Sequence, residues 1–60
     1  METYYEVKIL NNQIDFAIDT ITRNGFDILS DEDILLVHED DFDEVLIILN
    51  NNLIKYKELP

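Results

Sequence analysis

Cysteine is absent from this chain, glycine and proline occur once each, and there is no tryptophan. Without thiols there are no disulfides and no thiolate metal ligands, and a lone histidine cannot assemble a structural zinc site. Those absences matter at 60 residues. A single domain of this size buries only about 60% of the surface its unfolded form exposes and usually needs a supplement to its core. What remains is a densely apolar interior or a partner chain. Positive charge is equally scarce: four Lys and Arg stand against fourteen Asp and Glu, for a net charge of −10. Such an excess repels nucleic acid and anionic membranes and draws the chain to basic surfaces. The first residues are acidic where a signal peptide would be basic, and no apolar stretch follows, so no leader is expected. No apolar run reaches the roughly 18 residues of a membrane span. A cytoplasmic location is the expectation, compatible with the lack of cysteine.

What is present is 47% hydrophobic residues arranged in clear periods. Thr3 to Leu10 alternates with period two, with Tyr5, Val7 and Ile9 on one face and Tyr4, Glu6 and Lys8 on the other, as a strand would. Asn11-Asn12 stops it and offers a helix N-cap at Asn12. Ile14, Ala17, Ile18 and Ile21 then form one face of a helix, Asp19 and Arg23 make an i,i+4 pair, and Asn24-Gly25 closes it with Gly25 left-handed and Phe26 as the apolar follower. Phe26–Leu29 reads as a second strand, Ser30–Asp33 as a four-residue turn and Ile34–His38 as a third strand. Glu39-Asp40-Asp41 sits at the next helix start, where carboxylates can cap and complement the helix dipole. Phe42, Val45, Leu46 and Leu49 repeat the helical pattern, one of Asn50, Asn51 and Asn52 is expected to take the left-handed cap, and Leu53–Leu59 is a last strand.

One domain over residues 1–60 results, with element order β-α-β-β-α-β. This order resembles the ferredoxin-like split βαβ fold: an antiparallel four-stranded sheet in the order 4-1-3-2 with two helices on one face. A three-stranded α+β variant is the alternative. The resemblance concerns element order alone, and the fold serves many functions.

Little in the sequence suits catalysis. A nucleophile–base pair would need the only histidine, His38, together with Ser30 or a threonine, and no glycine loop is present to hold an oxyanion. A carboxylate pair would need an apolar pocket that so small a core leaves no room for. No cofactor is implied. For a metal, an EF-hand loop counted from Asp31 puts Leu36 where glycine is required. For nucleic acid, Tyr4, Lys8, Lys55 and Lys57 could share an open sheet face. The aromatic-glycine signature of RNA-binding sheets is missing, however, and the net charge opposes phosphate.

Two surfaces stand out. Asp15, Asp19, Asp31, Glu32, Asp33, Asp40, Asp41, Asp43 and Glu44 would line the helical layer and its two ends as an anionic array able to occupy a basic groove on another protein, as nucleic-acid phosphates would. The simpler reading of the same residues is solubility plus helix capping. Second, Phe16 and Ile47 lie off the core stripes of their helices, with Ile48 at the boundary. Either Leu35 and Val37 or Ile34 and Leu36 must face the uncovered side of the sheet. With Leu35 and Val37 outward, the candidate self-association set is Phe16, Leu35, Val37, Ile47 and Ile48, and a homodimer is expected. The leading expectation is a non-catalytic interaction module that presents a nucleic-acid-mimicking acidic surface to a basic protein site. In general character it resembles the small acidic inhibitors carried by phages and mobile elements. The alternatives are a structural or regulatory homodimer that binds through its apolar patch, and a dimer that takes a small ligand on its open sheet face.

Overall fold

The computed structural model describes residues 2–60. It contains β1 (Tyr4–Ile9), α1 (Ile14–Arg23), β2 (Leu29–Asp31), β3 (Ile34–His38), a 3₁₀ turn (Glu39–Asp41), α2 (Phe42–Asn51) and β4 (Tyr56–Glu58). The strands form one antiparallel sheet in the order β2-β3-β1-β4. This is the strand order expected for a split βαβ arrangement, with β1 and β3 central and all four strands paired.

Pairing of Tyr5 with Val37 and Val7 with Leu35 aligns the apolar halves of β1 and β3 on one face. Val7, Ile9, Leu35 and Val37 there meet Ala17 and Ile21 of α1, Val45 and Leu49 of α2, and Ile54, all buried in one cluster. Both helices therefore cover the same side of the sheet. Ile14, Ile18, Phe42 and Leu46 flank the cluster, as the helical spacing predicts. Each fully buried aliphatic side chain contributes about 1.5–3 kcal/mol of transfer free energy, so this single cluster carries the fold. The smallest dimension, 16 Å, accommodates one helix layer on one sheet. Among the described residues, no layer covers the other sheet face, which carries Glu6, Lys8, Ile34 and Leu36.

The chain departs from its local signals at four joints. Asn11 and Asn12 both adopt left-handed φ (59° and 56°), a conformation asparagine tolerates, and Gln13 occupies the N-cap position of α1 in place of Asn12. The Gln13 side chain is used elsewhere, accepting from Lys55 N at 3.1 Å. β2 begins at Leu29 and not at Phe26, because Phe26 closes α1 and, with Ile28, packs against the core. The hairpin loop therefore shrinks to Glu32-Asp33, with Ser30 and Asp31 in an edge strand that accepts polar residues. β4 begins at Tyr56, because Leu53 and Ile54 close α2. No Asn takes the left-handed cap there. Leu53 does, at φ 58°.

A charged pole and an open sheet face

The register separates the acidic residues into two ends. β3 runs from the hairpin at Glu32-Asp33 to His38, roughly 17 Å at about 3.3 Å per residue. At its far end, Glu39, Asp40 and Asp41 form the 3₁₀ turn, and Asp43 and Glu44 occupy the first turn of α2. The backbone joins the chain start to this end: Glu39 N donates to Thr3 O at 2.9 Å, and Glu2 accepts from the Tyr4 hydroxyl at 3.1 Å. Asp27 belongs here too, since it lies two residues before Leu29, whose partner is Leu36. This end, the acidic pole, thus gathers Glu2, Asp27, Glu39, Asp40, Asp41, Asp43 and Glu44. Arg23 at the end of α1 is already bonded to Asp19 at 2.6 Å.

The lysines lie at the opposite end. Lys8 pairs with Ile34 beside the hairpin and with Lys57 on β4, and Lys55 O accepts from Leu10 N. Asp31, Glu32, Asp33 and Asp15 share this end with them. Of the nine carboxylates singled out from the sequence, Asp40, Asp41, Asp43 and Glu44 therefore come together, and Asp15, Asp31, Glu32 and Asp33 sit among lysines. Asp19 is paired. Glu2, Asp27 and Glu39 complete the pole, and only the register could have found the first two.

Carboxylates at the pole are not consumed by the fold. Asp41 stands at the N-cap of α2 without a side-chain cap bond, contrary to the capping role expected of it. His38 instead caps the preceding 3₁₀ turn, its Nδ1 accepting from Asp40 N at 3.1 Å. The Asp40 carboxylate lies 3.6 Å from the same nitrogen and is 82% exposed. Asp43 and Glu44 are exposed and favourably placed on the helix dipole, which is the structural part of their role. Tyr4 meets His38 edge-on at 5.3 Å, and the Glu2 hydrogen bond, followed by the Glu2 charge, holds the Tyr4 phenol above its usual pKa. Phe42 packs on Tyr5 with ring centroids 4.6 Å apart, which anchors α2 where the pole begins. Among the described residues no group of His, Asp and Glu is arranged to hold a metal ion. The pole is a spread of separate charges.

No match relates this chain to a protein-family model, a curated protein or a solved structure. The surface must be read from its own chemistry.

The expected self-association residues divide differently. Phe16 and Ile47 are exposed at 50% and 56%. Ile48 is half-buried against the core. Of the two alternate pairs of β3 that could face outward, Leu35 and Val37, the pair placed in the self-association set, are buried under the helices, because the pairing of Val7 with Leu35 puts them on the helix side. The outward residues of β3 are Ile34, Leu36 and His38. Their neighbours on the open face are Tyr4, Glu6 and Lys8 of β1, Leu29 and Asp31 of β2, and Lys57 of β4. No helix among the described residues is long and apolar enough to cross a membrane.

Proposed function

We propose that this chain is a non-catalytic protein-interaction module whose acidic pole docks on a basic site of another protein. The observation that supports this reading is the gathering of Glu2, Asp27, Glu39, Asp40, Asp41, Asp43 and Glu44 at one end of the domain, where the one Lys or Arg among the described residues, Arg23, is already bonded to Asp19. A surface built only for solubility would intersperse both signs, as the lysine end does. A surface of one sign raises the encounter rate with an oppositely charged groove and rejects anionic partners. The natural target is a groove that otherwise takes phosphates, which makes an inhibitor of a nucleic-acid-binding protein the specific form of the proposal.

The test is capture of partners from the native host at low and high salt, with wild-type chain and with Asp43→Lys/Glu44→Lys. Binding through the pole weakens steeply as salt rises and is abolished by the double reversal. Partners retained equally in high salt and by the variant would defeat the proposal.

A further inference from the structure

The open sheet face carries an arrangement that the acidic pole does not explain. Glu6 and Lys8 stand side by side on central strand β1, both exposed, and among the described residues neither makes an ion pair. Glu6 lies beside Leu36, and Lys8 lies between Ile34 and Lys57. Next to this charged pair runs the apolar pair of β3, Leu36 and Ile34, at the same two levels of the sheet. We propose that this face packs on the same face of a second copy, about a two-fold axis lying between the sheets and roughly perpendicular to the strands.

That axis exchanges the two levels and keeps each strand over its own counterpart. Leu36 then covers Ile34 of the second copy and Glu6 meets Lys8 of the second copy, each contact occurring twice, as an isologous interface requires. A strand-parallel axis would instead set Leu36 on Glu6 and Ile34 on Lys8 at the centre of the face, burying charge against apolar surface without a partner. It would match Asp31 with Lys57 only at the edges, where the perpendicular axis leaves Asp31 on Leu29. Whole-molecule charge makes the same choice. The perpendicular axis lays the acidic pole of one copy beside the lysine end of the other, whereas the parallel axis sets pole beside pole. Both sheets retain mean strand directions within about 30° of each other, the range of aligned sheet packing. The face spans about 19 by 17 Å, from four strands roughly 4.8 Å apart and about five residues long. At roughly 320 Å² per copy it falls below standard interfaces and among weak, transient ones, so the dimer dissociates within an accessible concentration range.

Sedimentation equilibrium across a dilution series tests it, with far-UV circular dichroism to verify that each variant is folded. Wild type shows a concentration-dependent dimer. Glu6→Lys alone and Lys8→Glu alone each place like charges in contact twice per dimer and weaken association about a hundredfold. The swap Glu6→Lys/Lys8→Glu in one chain restores it. So does mixing the two single variants, which form a heterodimer with both pairs complementary. A wild type that stays monomeric at every concentration overturns the proposal. So does a dimer indifferent to the single reversals, or single variants that fail to rescue each other. The pole plays no part in these substitutions, so this result and the partner capture stand or fall separately.

Discussion

The two strand–helix–strand halves of the molecule follow one structural plan with different residues. At a constant offset of 28 positions, from Ile14 to Phe42 and from Gly25 to Leu53, the helices begin, bury, cap and stop alike. Ala17 and Val45 are buried at one level, Ile21 and Leu49 at the next. Asn24 and Asn52 each return a side-chain amide to a backbone carbonyl four residues earlier at 2.8 Å. Both helices close with the same paired bonds: Phe26 N to Ile21 O and Gly25 N to Thr22 O in one, Ile54 N to Leu49 O and Leu53 N to Asn50 O in the other. This is the Schellman closure, which demands a left-handed residue. The halves differ where the plan leaves freedom. Outward on α1 stands Asp19, bonded to Arg23, and at the equivalent place on α2 stands Ile47, exposed. α1 is entered from a neutral asparagine turn among lysines, α2 from three carboxylates. The core is thus specified twice by one pattern, and function is left to the surfaces between.

The largest effect tests the shared core. Ile21→Ala and Leu49→Ala should each destabilise by about 2–5 kcal/mol, the range for truncating a fully buried aliphatic. A domain of this length has only about 3–9 kcal/mol in total, at roughly 0.05–0.15 kcal/mol per residue, so both variants will be close to unfolding. Urea denaturation monitored by circular dichroism measures this. If one truncation is tolerated while the other unfolds the chain, the halves are not equivalent and the comparison breaks.

The caps give the next effect, with opposite signs in the two halves. Gly25 sits at φ 90° with nothing within 4 Å of where a Cβ would project, so a side chain there is opposed by the backbone alone. Gly25→Leu should destabilise by about 1–2 kcal/mol, the penalty of a left-handed L-residue. Leu53 already bears that penalty at φ 58°, with a side chain 80% exposed that contributes little packing. Leu53→Gly should therefore stabilise, by about 0.5–1 kcal/mol, because the greater freedom of glycine in the unfolded chain offsets part of the relief. Thermal melts of the two variants at one concentration decide it. If Leu53→Gly destabilises, the leucine has a packing role that its exposure does not reveal.

These joints also mark where the sequence could and could not be read. Helix faces were legible because a 3.6-residue period repeated without a miss, and strand order followed from element order and crossover geometry. The Gly25 closure was legible because glycine announces a left-handed residue. The Leu53 closure was not, since three asparagines competed for the position and the one residue with no local preference for it was placed there by the pull of Ile54 into the core. The same competition moved β2: Phe26 and Ile28 have strand propensity, but the end of α1 and the core claimed them first. Leu35 and Val37 were ambiguous for a different reason. A strand apolar on both faces carries no period, and only its register against β1 shows which pair is inside. The acidic pole was half legible, as runs of carboxylate around α2. Its completion by Glu2 and Asp27 needed the pairing of strands far apart in sequence.

The smallest effect lies where the two halves touch at the pole, through the edge-on contact of Tyr4 with His38. Tyr4 donates to Glu2, and ionising the phenol would both lose that bond and set two negative charges together, which is why its pKa is raised. The folded value lies above the unfolded one, so the associated stabilisation is fully present below the ordinary phenol pKa. It is lost as the pH rises through the folded value, in the alkaline range only. The Tyr4 hydroxyl bond to Glu2 lies at the surface, and the effect will be read in the titration and not in stability. With Tyr5→Phe and Tyr56→Phe removing the other phenols, ultraviolet titration should follow Tyr4 alone, and Glu2→Gln should lower its midpoint by deleting the charge. Added salt should lower it part of the way, because it screens the Coulombic contribution and leaves the hydrogen bond. An unchanged midpoint in Glu2→Gln would mean that Glu2 does not hold Tyr4, and would remove Glu2 from the pole.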